Sequence, residues 1–247
     1  MSTLLLAACA TTLATGLGAL PVFYLGKRAE RFAPALWAVS AGAMAVAAVA
    51  GLIVPAADEG SPPEWIGGAA AGVAFLFVAR RRLRLAARSR PHAVEEVAAA
   101  RRASLLVFLT LLIHSLPEGF ALGTAYASGS VELGVLVFAA IALQNVPEGT
   151  TVALPLAAAG AGRGRQFWAA TASSLPQPPG AAIAYLAVEQ VQVLLPLSLA
   201  FAGGAMAALV VVEMTPRAFG RGLDPLAVAG FALGASVMLA LTAVLGV

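Results

Sequence analysis

An all-α membrane protein with eight transmembrane helices is the fold class this sequence predicts, on three observations. Of 247 residues, 60% are hydrophobic and only 11% are charged, whereas a soluble domain carries about a quarter charged residues. The apolar residues gather into runs of about 20, long enough to cross a hydrocarbon core of roughly 30 Å. The basic residues fall in alternate connections between those runs, which is how a polytopic chain is oriented.

Taken in order, the spans cover roughly 3–26, 33–57, 64–79, 104–128, 133–159, 166–188, 193–214 and 224–247. The first contains Leu6-Ala7-Ala8-Cys9, which looks like a lipoprotein cleavage box. It lacks a positive n-region, and the apolar run continues to Gly26, so a span is the better reading. The second and seventh hold clusters of small residues, Ala41-Gly42-Ala43 and Ala202-Gly203-Gly204-Ala205, which let helices approach closely in lipid. The third is the shortest and reaches the interface through the stems of Arg80 and its neighbours. A short connection at about 128–132 makes the fourth and fifth spans antiparallel neighbours. The sixth carries Pro176, Pro178 and Pro179 and is expected to break at mid-depth, beside protein or a hydrated cavity. All connections are short except 80–103, so residues 1–247 form a single transmembrane domain.

All fifteen Lys and Arg lie after odd-numbered spans: Lys27, Arg28 and Arg31; the run from Arg80 to Arg102; Arg163 and Arg165; Arg217 and Arg221. The opposite connections carry Asp58, Glu59, Glu64, Glu132 and Glu189 and no basic residue. This places the chain in the cell membrane as a multi-pass protein, both termini outside and the 80–103 loop cytoplasmic. The formal charge of +3 is thus a topology signal on an anionic lipid surface, and a nucleic-acid partner is set aside. The single cysteine, Cys9, excludes an intrachain disulfide and a multi-thiolate metal site.

Two segments carry the chemistry: His114-Ser115-Leu116-Pro117-Glu118-Gly119 and Gln144-Asn145-Val146-Pro147-Glu148-Gly149. A carboxylate inside an apolar span is a functional signal, because it costs a few kcal/mol to place there. Helical spacing puts His114 with Glu118, and Gln144 with Glu148, on common faces, with Ser115 and Asn145 on the flanks. Pro117 and Pro147 free the carbonyls of Ile113 and Leu143 from their helical bonds. No Lys or Arg lies in the spans to neutralise the two carboxylates, whereas one divalent cation would balance both. The donor set is mixed nitrogen and oxygen, suited to zinc, iron or manganese. Gln177 supplies a further polar tip in the sixth span, and Met44 a thioether in the second. Glu213, near the end of the seventh span, reads either as an exit-side relay or as a partner of Arg217.

These motifs resemble the ZIP (Zrt/Irt-like) family of divalent-metal transporters, whose pattern is His-Asn-x-Pro-Glu-Gly in spans four and five of eight. The resemblance covers essentially the whole chain. It implies a secondary transporter that imports Zn²⁺, or alternatively Fe²⁺, Mn²⁺ or Cd²⁺, by alternating access, with no separate cofactor. It implies a primary metal site of His114, Glu118, Gln144 and Glu148, with Met44 beside it, and an adjoining second position at Ser115, Asn145 and Gln177. It further implies a moving bundle of spans one, four, five and six against a scaffold of two, three, seven and eight, often as a homodimer. This chain departs from the pattern at Ser115, Gln144 and Gln177, where the family commonly has Asn, His and Glu. The loss of the third carboxylate suits one divalent ion instead of two, held more weakly than by two histidines. Two other classes stay open: a proton-coupled carrier or channel for another solute, and a metal-dependent membrane enzyme. Against the enzyme, there is no His-Glu-x-x-His motif, and only two histidines occur in the chain.

Overall fold

The computed structural model describes residues 1–88, 114–220 and 222–247. The first span is α1 (Ser2–Leu17) followed by α2 (Leu20–Leu25). The second is α3 (Ala29–Ala48), a π-helical turn at Val49–Ile53 and α4 (Val54–Glu59). α5 (Pro62–Arg88) is the third, and α6, helical over 114–127, belongs to the fourth. α7 (Val131–Ala158) is the fifth. The sixth divides into α8 (Arg163–Ser173) and α9 (Gln177–Gln190). The seventh is α10 (Leu194–Leu209), a π-helical turn at Val210–Met214 and α11 (Thr215–Phe219), and α12 (Pro225–Leu245) is the eighth. Among the described residues, six runs are long and apolar enough to cross a membrane. The other two predicted spans are the fourth, described only from 114, and the sixth, whose halves are each too short alone.

Local chemistry explains the boundaries. Ser130 caps α7 by accepting from the Leu133 N–H at 3.0 Å, and Asp224 caps α12 by accepting from Leu226 N–H at 3.0 Å. At the start of α5, the Ser61 N–H and hydroxyl both donate to the Glu64 carboxylate, at 2.7 and 2.8 Å, the side-chain-to-N-cap half of a capping box, with Pro62 in the first turn. The predicted break in span six falls at Ser174–Pro176, and α9 begins directly ahead of Pro178 and Pro179, where a missing N–H costs nothing. Pro147, by contrast, stays inside a continuous α7. Each π-helical turn ends two residues before a proline, Pro55 or Pro216. The wider turn accommodates the ring and the donor it lacks.

One boundary differs from the sequence expectation. The sequence places the end of the third span near 79 and the start of the loop at 80, whereas the apolar run ends at Arg82 and α5 stays helical through Arg88. Leu, Ala and Arg in that stretch are strong helix formers. Arg80 accordingly turns inward instead of reaching for the interface, and its side chain is 16% exposed. Most of the predicted 80–103 loop, together with residues 104–113, lies outside the described residues.

The polarity of the bundle is that of a protein dissolved in lipid. Thr11, Thr15, Ser40, Thr124 and the polar motif residues are buried, while Leu6, Val131, Leu233 and Val244 face outward. Without a hydrophobic drive between helices, association rests on close contact and internal hydrogen bonds. α1 runs parallel to α7, and a Cβ at Gly149 would run into the Thr15 carbonyl. α6 runs parallel to α9, and side chains at Gly119 and Gly123 would collide with the backbone of Gln177 and Ala181. α5 packs along α10, and α12 along α3. Spans one, four, five and six thereby surround one polar interior, flanked by the other four.

Candidate metal centre

Glu118 on α6 and Glu148 on α7 are 0% and 1% exposed, so no bulk water solvates either carboxylate. They lie on adjacent helices, and Glu148 is within electrostatic reach of Glu118. Glu118 is held from two sides. Gln144 Nε2 donates to its Oε1 at 2.9 Å, and Gln177 Nε2 donates to its Oε2 at 2.5 Å. Glu148 Oε1 and Gln144 Oε1, one helical turn apart on α7, are buried and have no hydrogen-bond partner among the described residues. Two partnerless acceptors beside a second carboxylate call for a donor or a cation, since buried polar atoms are nearly always paired.

Gln177 is saturated. Its Oε1 accepts from the Thr11 hydroxyl at 2.9 Å and from Asn145 Nδ2 at 3.2 Å. Asn145 Nδ2 also reaches the Thr11 carbonyl at 2.7 Å. An amide thus fastens the start of α9 to α1, α6 and α7 together. Ser115 Oγ donates to the Ser173 carbonyl at 3.1 Å, tying α6 to the end of α8. Met44 is fully buried, one turn beyond Ser40, whose hydroxyl donates to the Gln144 carbonyl at 3.4 Å. That places Met44 on the face of α3 that meets α7.

His114 is the sequence-predicted residue that stands apart. Its imidazole is 2% exposed and its Nε2 lies 3.3 Å from Glu213 Oε2, facing the seventh span instead of the Glu118–Glu148 pair. Glu213 also pairs with Arg80 at 2.9 Å and with Arg217 at 2.5 Å. Both readings of Glu213 left Arg80 out. Among the described residues, no three of His, Cys, Asp and Glu converge closely enough to hold a metal by themselves. A cation at Glu118 and Glu148 would need further donors, and Gln144 Oε1 is one that has no partner among the described residues. Sequence reasoning missed Thr11, Thr15, Ser40 and Arg80. A spacing signal existed for the threonines, which recur at i and i+4 on one face of α1, but Thr in an apolar span reads as filler.

The fold and this interior define a multi-pass α-helical membrane protein with an acidic, amide-lined centre. Residues 85–242 match the family described as ZIP Zinc transporter, and the chain belongs to that family. It is 35% identical over 143 residues to the zinc transporter GufA of Myxococcus xanthus, covering 58% of this chain and 56% of that protein. It is 34% identical over 155 residues to the zinc transporter ZIPB of Bordetella bronchiseptica, covering 63% of this chain and 50% of that one. Against the zinc transporter ZupT of Corynebacterium glutamicum, identity is 32% over 199 residues, covering 80% of this chain and 67% of the relative. The chain thus spans about half the length of the first two relatives.

Proposed function

We propose that this chain is a secondary carrier that moves Zn²⁺, or a similar first-row divalent ion, into the cytoplasm by alternating exposure of a site at Glu118 and Glu148. The observation that carries the reading is the pair of buried carboxylates on neighbouring helices, with no salt bridge to either among the described residues. Two such charges in a low-dielectric interior repel, and a doubly positive ion between them removes the cost. The names of the related zinc transporters support the same cargo.

In this reading Glu118, Glu148, Gln144 and His114 are the primary ligands. Gln144 keeps Nε2 on Glu118 while its partnerless Oε1 faces the ion, and His114 joins after leaving Glu213. Met44 borders the site from the second span. Ser115, Asn145 and Gln177 surround a second position, but the Gln177 amide presents its N–H groups there and repels a cation. One ion per chain follows. Alternate basic and acidic connections place both termini outside and the Arg80 end of the bundle in the cytoplasm.

A tracer-uptake panel across Zn²⁺, Fe²⁺, Mn²⁺ and Cd²⁺ in proteoliposomes tests the proposal. Wild type takes up zinc, and Glu118→Gln lowers uptake at least about a hundredfold, because a lone carboxylate no longer balances the ion. Unchanged zinc uptake in Glu118→Gln would refute the assignment. A proton-coupled solute carrier would instead show metal-independent thermal stability in both proteins.

A further inference from the structure

We propose that Arg80, Glu213 and Arg217 form a charge gate on the basic side of the ion position, whose net positive charge sets how fast a divalent cation leaves toward that side. The inference rests on the carrier reading above and adds its regulation. Glu213 lies in the π-helical turn of the seventh span with its side chain 4% exposed, held by Arg80 from α5 and Arg217 from α11. With His114 counted as neutral, two guanidiniums against one carboxylate leave a net charge of +1, and screening is weak around the buried Glu213 carboxylate. The cluster adjoins the site directly, because Glu213 Oε2 stands 3.3 Å from His114 Nε2 and His114 is one helical turn from Glu118. Glu213 Oε2 is met there by both Arg80 Nη1 at 2.9 Å and His114 Nε2 at 3.3 Å.

Arg217 is fixed independently, its guanidinium stacked 4.5 Å above the Trp37 ring on α3. Its charge stays in place when Glu213 is neutralised. The cluster also joins the two halves of the bundle. Arg80, Glu213, Arg217 and Trp37 belong to spans two, three and seven, and only His114 comes from the helices around the site. A cation passing that end meets the two arginines, with Glu213 as their counter-charge.

The test is charge rescue, read as zinc turnover by the full chain in proteoliposomes. Glu213→Gln raises the cluster to +2 and lowers turnover at saturating zinc at least about tenfold. Glu213→Gln with Arg80→Gln restores the net +1 and recovers turnover to within about threefold of wild type. A merely structural role for Glu213 predicts no such recovery, because the double variant has lost two partners instead of one. The proposal is overturned if Glu213→Gln matches wild type, or if the double variant stays as slow as the single one. If Glu213→Gln does not fold, Arg80→Gln is read alone: turnover rises at least about threefold as the net charge falls to zero, and an unchanged or lower rate overturns the gate. Wild-type flux in the same vesicles reads the carrier assignment separately.

Discussion

Thr11 shows how much of this centre rests on residues with no charge. Its hydroxyl and carbonyl contact Gln177 and Asn145 at 2.9 and 2.7 Å, and through them it orients the donor that faces Glu118. Thr11→Val keeps the shape and removes the hydroxyl. It should cost about 1–2 kcal/mol of stability, the loss of one buried hydrogen bond, while Thr11→Ser should cost less. Thermal unfolding in detergent checks both. Glu118→Gln and Glu148→Gln should each abolish zinc-dependent thermal stabilisation, since stabilisation by a ligand follows its occupancy of the folded state. Persistence of that shift in either variant would move the ion elsewhere.

Among the elements, the parallel pairs α1/α7 and α6/α9 hold the site together, and both depend on backbone-to-backbone approach at glycine. Gly149 touches the Thr15 carbonyl, and Gly123 touches the backbone of Ala181. In a close-packed interior such a contact cannot absorb a side chain. Gly123→Leu or Gly149→Leu should therefore abolish the monodisperse folded protein, whereas Gly162→Ala, which meets nothing within 4 Å, should leave it intact. Size-exclusion profiles distinguish the two outcomes. The helices themselves were legible in the sequence: six of the eight predicted spans coincide with described helical runs to within a few residues, the third continues as a helix to Arg88, and the split of span six follows from Pro176, Pro178 and Pro179. The partner of each polar face was not legible. Spacing shows that His114 and Glu118 share a face of one helix, but the register between helices sends the imidazole to Glu213. Arg80, at the end of an apolar run, reads as an interfacial residue until α10 and the π-helical turn bring a carboxylate beside it.

Across the whole molecule, the alternation of charge along the chain predicts an orientation. Single cysteines introduced at Ser130 and Glu189 in a Cys9→Ala background should react with a membrane-impermeant thiol reagent from outside intact cells. One at Arg163 should react only after lysis. The reverse pattern would invert the proposed topology. The doubled Pro-Glu-Gly motif was legible because a carboxylate in an apolar span is costly enough to stand out. Thr11 and Ser40 gave no such signal, since their roles exist only after the bundle has assembled.

The most direct measurement is anomalous scattering at the zinc edge from crystals grown with Zn²⁺. The account predicts one peak per chain, within about 2.0–2.2 Å of carboxylate oxygens from both Glu118 and Glu148. Two fully occupied peaks at that centre would contradict the single-ion reading, and a peak remote from both carboxylates would contradict the site itself.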